Sequence, residues 1–244
     1  MNRRNLLVAF AMGLSLVASP GIAKKKKAIV AAPPAALALS TIVDVDASHD
    51  PDNVLLLDLS NGGRVAVRLV PAWAPTHVDR IKTLTKQGFY NGVIFHRVID
   101  GFMAQTGDPT GTGQGGSKLP DLKAEFNRVP HMRGTVSMAR TNDPNSANSQ
   151  FFIVFYPRFA LDNRYTNFGR VIGGMAVVDA IERGEPPEHP TKIIQASLGS
   201  ENKPQMMPPP PAPVAAPPSV AAPAPVTPPP TVVPVKAVAK KKVR

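Results

Sequence analysis

The sequence contains no cysteine, and this absence excludes several classes of protein at once. Without a thiol there is no disulfide scaffold, no cysteine-bound zinc or iron–sulfur cluster and no thiol nucleophile. The redox compartment stays open, because oxidising compartments also contain cysteine-free proteins. Apolar residues make up 43% of the 244 positions, which is enough for a hydrophobic core and excludes disorder throughout.

Acidic side chains are scarce at the two ends of the chain. Residues 1–27 hold six Lys or Arg and no acid, and residues 201–244 hold six basic side chains and one Glu. The stretch 28–200 holds sixteen basic and sixteen acidic side chains, so the formal net charge of +11 belongs to the ends. The neutral body shows no basic face in its composition, and we expect no nucleic-acid partner.

Residues 1–23 have the features of a signal peptide. Arg3 and Arg4 precede an apolar run from Leu6 to Val17, and Gly21-Ile22-Ala23 is a small-x-small cleavage site. A membrane anchor is the alternative, but twelve residues of helix rise about 18 Å against a hydrocarbon core of roughly 30 Å. We expect export by the general route, followed by cleavage of the signal peptide. The residues that flank Arg3-Arg4 fit the twin-arginine pattern only in part. The mature protein is then periplasmic or secreted.

Both ends of the mature chain are predicted to lack a fold. Residues 24–39 are a flexible leader, and residues 201–244 hold 14 of the chain's 28 prolines. Proline at this density excludes a helix or a central strand and predicts a disordered, extended tail. The tail ends in Lys240–Lys242 and Arg244. Two interpretations stay open: a spacer whose basic tip makes weak contact with the anionic envelope, or a solvated tail without a partner.

The remaining stretch, residues 40–200, is predicted to be one domain of short strands. Asn61-Gly62 lies between two β-rich runs, and this dipeptide favours a hairpin because both positions tolerate positive φ. A proline-initiated helix begins at Ala74-Pro75 and ends at Gly88. The runs typical of strands are Val54–Leu59, Val65–Val70, Val93–Val98, Phe102–Thr106, Thr135–Met138, Phe151–Phe155, Phe168–Ile172 and Thr191–Leu198, and Met175–Arg183 is a second helix with Val177, Val178 and Ile181 inward. This pattern excludes a βαβ series and predicts an antiparallel barrel or sandwich with helices at its ends.

One glycine-rich motif, Gly111-x-Gly113-x-x-Gly116, matches the dinucleotide-binding fingerprint literally. The fingerprint needs a helix directly after it, yet Pro120 follows within four residues. We therefore predict a mobile loop beside a cleft, with no nucleotide and no other cofactor.

Metal and hydrolase sites find little support. The five histidines share no short ligand spacing, so no metal is expected. His96 is predicted to be a hydrogen-bonded structural residue within a strand. Ser137 and Ser149 lack the G-x-S-x-G turn of a serine nucleophile.

Two segments place polar side chains among apolar ones. In Phe95–Asp108, Arg97 stands between apolar residues, where a guanidinium either pairs with a carboxylate or is reserved for a ligand carbonyl. In Ser149–Ile153, an amide precedes two aromatic residues. From pattern alone, a barrel core with polar edges and a binding site are equally good interpretations.

These segments, with Ser137-Met138-Ala139 and Phe168–Val171, resemble the cyclophilin family of peptidyl-prolyl cis–trans isomerases. The resemblance runs from about Val54 to Leu198 with its blocks in family order. It implies an all-β-dominated fold, an eight-stranded antiparallel β-barrel capped by two α-helices, which agrees with the strand count. It also implies a monomeric enzyme without cofactor or metal that accelerates X–Pro rotation in unfolded or loop segments of exported proteins and assists their folding.

The resemblance also assigns roles to side chains. Arg97 corresponds to the catalytic arginine. The substrate-binding residues are the pocket walls Phe102, Met103, Phe152 and Leu161, the orienting amides Gln105 and Gln150, the peptide-pairing Ala139 and Arg140, and Gly113 on the flanking loop. Tyr165 lies where many members carry histidine and is expected to wall the pocket. Ala160 lies where several carry tryptophan, so cyclosporin-like inhibitors are expected to bind weakly.

Two other classes of function stay open at this point. A proline-binding chaperone module would use the same pocket without turnover. An envelope-tethering protein would use the proline-rich tail as its working part.

Overall fold

The computed structural model describes residues 40–208. The predicted signal peptide, the leader and the tail from residue 209 onward lie outside the described residues. Within these residues, eight strands and two α-helices follow one another: β1 (Val54–Leu59), β2 (Arg64–Leu69), α1 (Pro75–Lys86), β3 (Arg97–Ile99), β4 (Met103–Thr106), β5 (Thr135–Met138), β6 (Phe151–Val154), β7 (Asn167–Gly173), α2 (Met175–Asp179) and β8 (Ile193–Leu198).

The eight strands form one antiparallel sheet in the order β3-β4-β6-β5-β7-β2-β1-β8. The segments next to the two edge strands also bond to each other. Phe95 N–H donates to the Thr191 carbonyl and Ile193 N–H donates to the Val93 carbonyl, each at 2.9 Å. These bonds curl the sheet toward a barrel, and the predicted fold class is confirmed. The predicted strand from Val93 is shorter than expected, because residues before Arg97 make only an isolated bridge at Ile94.

The first hairpin is confirmed, but its turn differs from the expected two-residue form. Leu59 N–H donates to the Gly63 carbonyl at 2.8 Å, which leaves three residues in the loop. Of the predicted pair only Gly62 adopts a positive φ, +92°, as the third residue of such a loop requires. The Asn61 amide donates instead to the Val177 carbonyl of α2 at 3.0 Å.

The two helices cover the hydrophobic core of the sheet. Val78, Ile81 and Leu84 of α1 are fully buried, as their spacing predicts. Helix α2 is shorter than predicted, because the Arg183 guanidinium donates to the Asp179 carbonyl at 2.7 Å and closes the helix there. Neither helix in residues 40–208 is long and apolar enough to cross a membrane.

The chain after the predicted domain boundary at Ser200 still contacts the sheet. Arg64 Nη2 donates to the Lys203 carbonyl at 3.2 Å, and Met206 N–H donates to Asp58 Oδ2 at 2.7 Å. The Gln195 side chain also donates to the Pro204 carbonyl at 3.0 Å. The folded body therefore extends at least to Met206.

Candidate active site

Three neighbouring strands bring polar and apolar side chains to one face of the sheet. Arg97 of β3 lies opposite Gln105 of β4, and Gln105 lies opposite Phe152 of β6. Directly opposite residues of antiparallel strands project from the same face. The ladder therefore sets an arginine, an amide and an aromatic ring in one row.

This row borders a cavity of about 260 Å³. Nine predicted site residues line it: Arg97, Phe102, Met103, Gln105, Ala139, Arg140, Phe152, Leu161 and Tyr165. The rings of Phe152 and Tyr165 meet edge to face with centroids 5.6 Å apart. The cavity is a partly apolar cup with a guanidinium at its rim, and the individual roles of its residues stay predictions.

The other two predicted residues, Gly113 and Gln150, line an adjoining cavity of about 450 Å³. Gln105 Nε2 donates to Gln150 Oε1 at 2.9 Å, and Gln150 Nε2 donates to the carbonyls of Gly113 and Gly115 at 3.1 and 2.7 Å. The two amides thus connect the first cavity to the glycine-rich loop.

Arg97 combines the two alternatives left open by its sequence context. Its Nε donates to Glu185 Oε2 at 2.6 Å, and the two side chains are 43% and 50% exposed. Its two Nη groups make no hydrogen bond within residues 40–208, and the side chain lines the cup. One edge of the guanidinium is paired with an acid while the other remains available to a ligand.

Asp108 holds the glycine-rich loop beside the cavities. Its buried carboxylate accepts hydrogen bonds from the backbone of Thr110 at 2.7 Å, Gly113 at 2.6 Å and Gly115 at 3.0 Å, and from the Thr110 hydroxyl at 2.8 Å. Burial alone would raise the pKa of Asp108, but these donors outweigh it and lower the pKa to about 2. The carboxylate of Asp108 therefore already occupies the backbone N–H donors that a bound phosphate would need.

A buried line of side chains lies behind the loop that carries Leu161 and Tyr165. His131 Nδ1 contacts Asp162 Oδ1 at 2.8 Å, and Ser137 Oγ contacts His131 Nε2 at 2.8 Å. The order resembles a hydrolase triad, but Ser137 and His131 are at most 1% exposed and line neither cavity. The line instead joins the loop to β5. Burial lowers the pKa of His131 despite Asp162, so the ring is neutral near pH 7.

Arg140 lines both cavities. Its Nε and Nη2 donate to the Arg164 carbonyl at 3.2 and 2.8 Å. Its guanidinium lies 4.6 Å from the centroid of the Tyr165 ring. The side chain therefore supports the pocket loop, a contribution that the predicted backbone pairing did not include. Ala160, the position at which several family members are expected to carry tryptophan, is exposed on this loop.

His96 differs from its prediction. It is buried, but neither ring nitrogen has a hydrogen-bond partner among residues 40–208, so the expected hydrogen-bonded role is wrong there. The ring lies under the glycine-rich loop, where a Cβ on Gly113 would come within 3.5 Å of it. Burial lowers the pKa of His96, which keeps the ring uncharged and reduces the penalty of the missing partners.

The side chain of Arg68 binds the backbone of an aspartate-rich segment, Asp44 to Asp50. The buried Arg68 guanidinium donates to the backbone carbonyls of Asp44, Asp46, His49 and Asp50 at 2.5–3.1 Å. In residues 40–208 no group of three or more His, Asp or Glu side chains is arranged to hold a metal ion.

The chain is similar to known proteins of one family. The family model for cyclophilin type peptidyl-prolyl cis-trans isomerase/CLD matches residues 55–198. A probable peptidyl-prolyl cis-trans isomerase of Brucella suis is 45% identical over 194 residues, which cover 73% of this chain and 98% of that protein. A peptidyl-prolyl cis-trans isomerase-like 1 of Aspergillus niger is 41% identical over 148 residues, 57% of this chain and 91% of that protein.

Solved structures agree in fold. Cyclophilin AquaCyp293 from Hirschia baltica aligns with a TM-score of 0.59 at 32% identity, covering 62% of this chain and 76% of that one. A Cryptosporidium parvum cyclophilin type peptidyl-prolyl cis-trans isomerase, solved in the presence of the dipeptide Ala-Pro, aligns with a TM-score of 0.56 at 28% identity. That alignment covers 59% of this chain and 98% of the other.

Proposed function

The chain belongs to the cyclophilin-type peptidyl-prolyl cis–trans isomerases, and from this premise we propose that it accelerates X–Pro rotation in exported proteins and so assists their folding. The observation that carries the proposed site is the partly apolar cup with Arg97 at its rim. A proline ring is apolar and compact, and Met103 and Phe152 offer it a buried surface. The Ala-Pro dipeptide used with the Cryptosporidium relative supports Ala-Pro peptides as substrates.

The reaction needs no acid–base pair, because no covalent bond is made or broken. Rotation about the X–Pro bond breaks amide resonance against a barrier of about 18–20 kcal/mol. The enzyme must therefore bind the twisted imide more tightly than either planar isomer. In the twisted state the nitrogen lone pair is localised and accepts a hydrogen bond, which a fixed guanidinium is suited to donate. If Arg97 supplies about 4 kcal/mol of this preference, the rate rises about a thousandfold.

The other residues of the cup hold the proline ring and the flanking peptide chain while the X–Pro bond rotates. The cup holds the ring while the preceding carbonyl turns, and it excludes water that would favour the planar, charge-separated amide. The linked amides of Gln105 and Gln150 lie between the cup and the adjoining cavity, where a peptide chain leaving the proline would pass. We assign them the orientation of that chain.

Two observations support exported proteins as the natural substrates. The signal features of residues 1–23 direct the chain to the periplasm or outside the cell. Five of the nine lining residues are apolar, and these walls can receive the ring of any proline, which suits unfolded or loop prolines of many proteins. A panel of proline peptides tests this breadth. Similar turnover across the panel is expected, and one strongly preferred sequence would favour a dedicated partner instead.

An isomerisation assay on the secreted chain tests the proposed function. Arg97→Ala is expected to reduce turnover of an Ala-Pro peptide at least a hundredfold, with unchanged circular dichroism and melting temperature. Full activity of Arg97→Ala would refute the role of Arg97. Peptide affinity without any turnover in the wild-type chain would favour a proline-binding chaperone module.

For the basic tail we propose a weak contact with the anionic envelope surface. The test is a chain truncated after Pro208, because residues up to Met206 bond to the sheet. Truncation is expected to leave turnover unchanged and to abolish sedimentation with anionic vesicles at low salt. Equal sedimentation of both chains would show that the tail has no such role.

A further inference from the structure

We infer that Glu185 is a positioning residue for Arg97. Its Oε2 accepts the Arg97 Nε–H at 2.6 Å, and Glu185 itself does not line the cup. The carboxylate therefore holds the guanidinium from outside the substrate site. The inference rests on the proposed role of Arg97 and extends it to a residue that no sequence motif indicated.

The backbone brings this carboxylate to the arginine. Val98, which follows Arg97 in β3, exchanges two hydrogen bonds with Gly184, at 2.8 and 2.9 Å. Glu185 comes directly after that bridge. The turn requires a glycine, because Gly184 has φ +149° and a Cβ there would lie 2.5 Å from the Pro187 Cα. Two prolines with fixed φ follow, so the backbone of Glu185 is anchored although its side chain is exposed.

The contact determines which edge of the guanidinium is free. Arginine is planar with five N–H donors, and a bond at Nε restrains the orientation of the whole plane. Both Nη groups are left without a hydrogen bond within residues 40–208, on a side chain that lines the cup. An unpaired arginine that is 43% exposed would sample several rotamers. Pairing with Glu185 reduces that freedom before the peptide arrives.

Other positive charges near the cup increase the need for the Arg97–Glu185 pair. Arg140 lines the same cavity, and the Arg158 guanidinium lies 5.4 Å from the centroid of the Phe102 ring. Like charges repel Arg97, and the carboxylate of Glu185 counteracts this repulsion. Because Arg97 acts on the twisted imide, the loss of its positioning should lower kcat more than it raises KM.

The experiment compares Glu185→Ala and Glu185→Gln in the full chain, with Glu188→Ala as the matched control. Glu188 lies in the same stretch, is exposed and makes no side-chain hydrogen bond within residues 40–208. Exposed pairs are weak, so Glu185→Ala is expected to lower kcat on an Ala-Pro peptide about three- to fivefold with KM within about twofold. Glu185→Gln keeps an acceptor oxygen and should recover kcat to within about twofold of wild type. Glu188→Ala should leave kcat unchanged.

A spectroscopic measurement separates positioning from a general charge effect. The Arg97 Nε–H proton should exchange slowly with water in the wild type and in Glu185→Gln, and rapidly in Glu185→Ala. An unchanged kcat in Glu185→Ala would overturn the inference, and so would equal losses in Glu185→Ala and Glu188→Ala. A raised kcat would show that Glu185 competes with the peptide for Arg97. If Arg97→Ala keeps full turnover, the proposed role of Arg97 fails together with the inference that rests on it, and a wild-type chain without turnover refutes the proposed function. An inactive Arg97→Ala beside an unaffected Glu185→Ala refutes only the positioning role.

Discussion

The proline cup has two walls that are built in different ways. On the sheet wall, Met103 and Gln105 of β4 and Phe152 of β6 are placed by the backbone ladder. On the loop wall, Leu161 and Tyr165 lie between β6 and β7, outside the sheet. Side-chain contacts hold the loop wall. Asp162 contacts the His131 ring, and the Arg140 guanidinium donates to the Arg164 carbonyl.

Because the two walls are built differently, we expect them to contribute differently to catalysis and to stability. A ladder of backbone bonds fixes positions whatever the side chains are, so the sheet wall sets the geometry of the reaction. A loop fixed by a few side-chain contacts changes when those side chains change. The two positions at which we expect this chain to differ from the family, Tyr165 and Ala160, both lie on the loop that forms this wall. We therefore expect the loop wall to tolerate substitution in catalysis while remaining sensitive in stability to its buried contacts.

The largest expected effect comes from breaking the support of the loop wall. Asp162→Ala removes the acceptor of the His131 backbone N–H and of its ring Nδ1, leaving buried groups unpaired. Such a loss costs about 2 kcal/mol and lowers the melting temperature by roughly 4–8 °C. Thermal unfolding measures it, with Asp162→Asn as the control that keeps an acceptor oxygen. Equal melting of Asp162→Ala and wild type would show that the loop does not depend on this contact.

The next effect compares the two walls directly with one substitution. Phe152 and Tyr165 contact each other edge to face, one on each wall. Phe152→Leu opens a gap that the strand cannot close, and kcat/KM is expected to fall about tenfold. Tyr165→Leu lies on a loop outside the strand ladder, where neighbouring side chains can adjust more than on a strand, and a loss of about threefold is expected. The isomerisation assay ranks the two, and a larger loss for Tyr165→Leu would contradict the division between the walls.

The smallest expected effect is a dependence of stability on pH. Burial lowers the pKa of His131 and of His77 below the model-peptide value of 6.5, so the unfolded chain takes up protons that the folded chain does not. Stability is then complete above pH 6.5 and falls as the pH drops below it. The lowered pKa of Asp108, about 2, acts only at still lower pH, below the ordinary aspartate pKa of 3.8.

Melting temperatures measured from pH 8 to pH 5 test this sign. A plateau above pH 7 and a fall of a few degrees by pH 5 are expected. His131→Gln cannot take up the proton, and its melting temperature should fall less steeply over the same range. A melting temperature that rises between pH 6.5 and pH 5 would contradict the neutral buried histidines.

Local patterns predicted where some strands and helices begin and end, but not how they pair. Strand β5 has the bounds that its apolar run indicates, and α1 begins at Pro75 as proposed. The placement of Arg97, Gln105 and Phe152 together followed from the family resemblance, since strand register leaves no local signal in the sequence.

The contacts that hold the loop wall and Arg97 could not be predicted. His131, Ser137 and Asp162 are separated along the chain, as are Arg97 and Glu185, and no periodicity marks such pairs. The folded body also extends past Ser200, because the bonds of residues 203–206 depend on Asp58 and Arg64, which lie far away in sequence.

The most direct test of the account separates binding from turnover at Arg97. Exchange NMR on an Ala-Pro peptide yields the dissociation constants of the cis and trans isomers and the rate of their interconversion on the enzyme. For Arg97→Ala we expect that rate to fall at least a hundredfold while both dissociation constants change less than about threefold, because the guanidinium acts on the twisted imide alone. Weakened binding of both isomers with an unchanged interconversion rate would contradict the account.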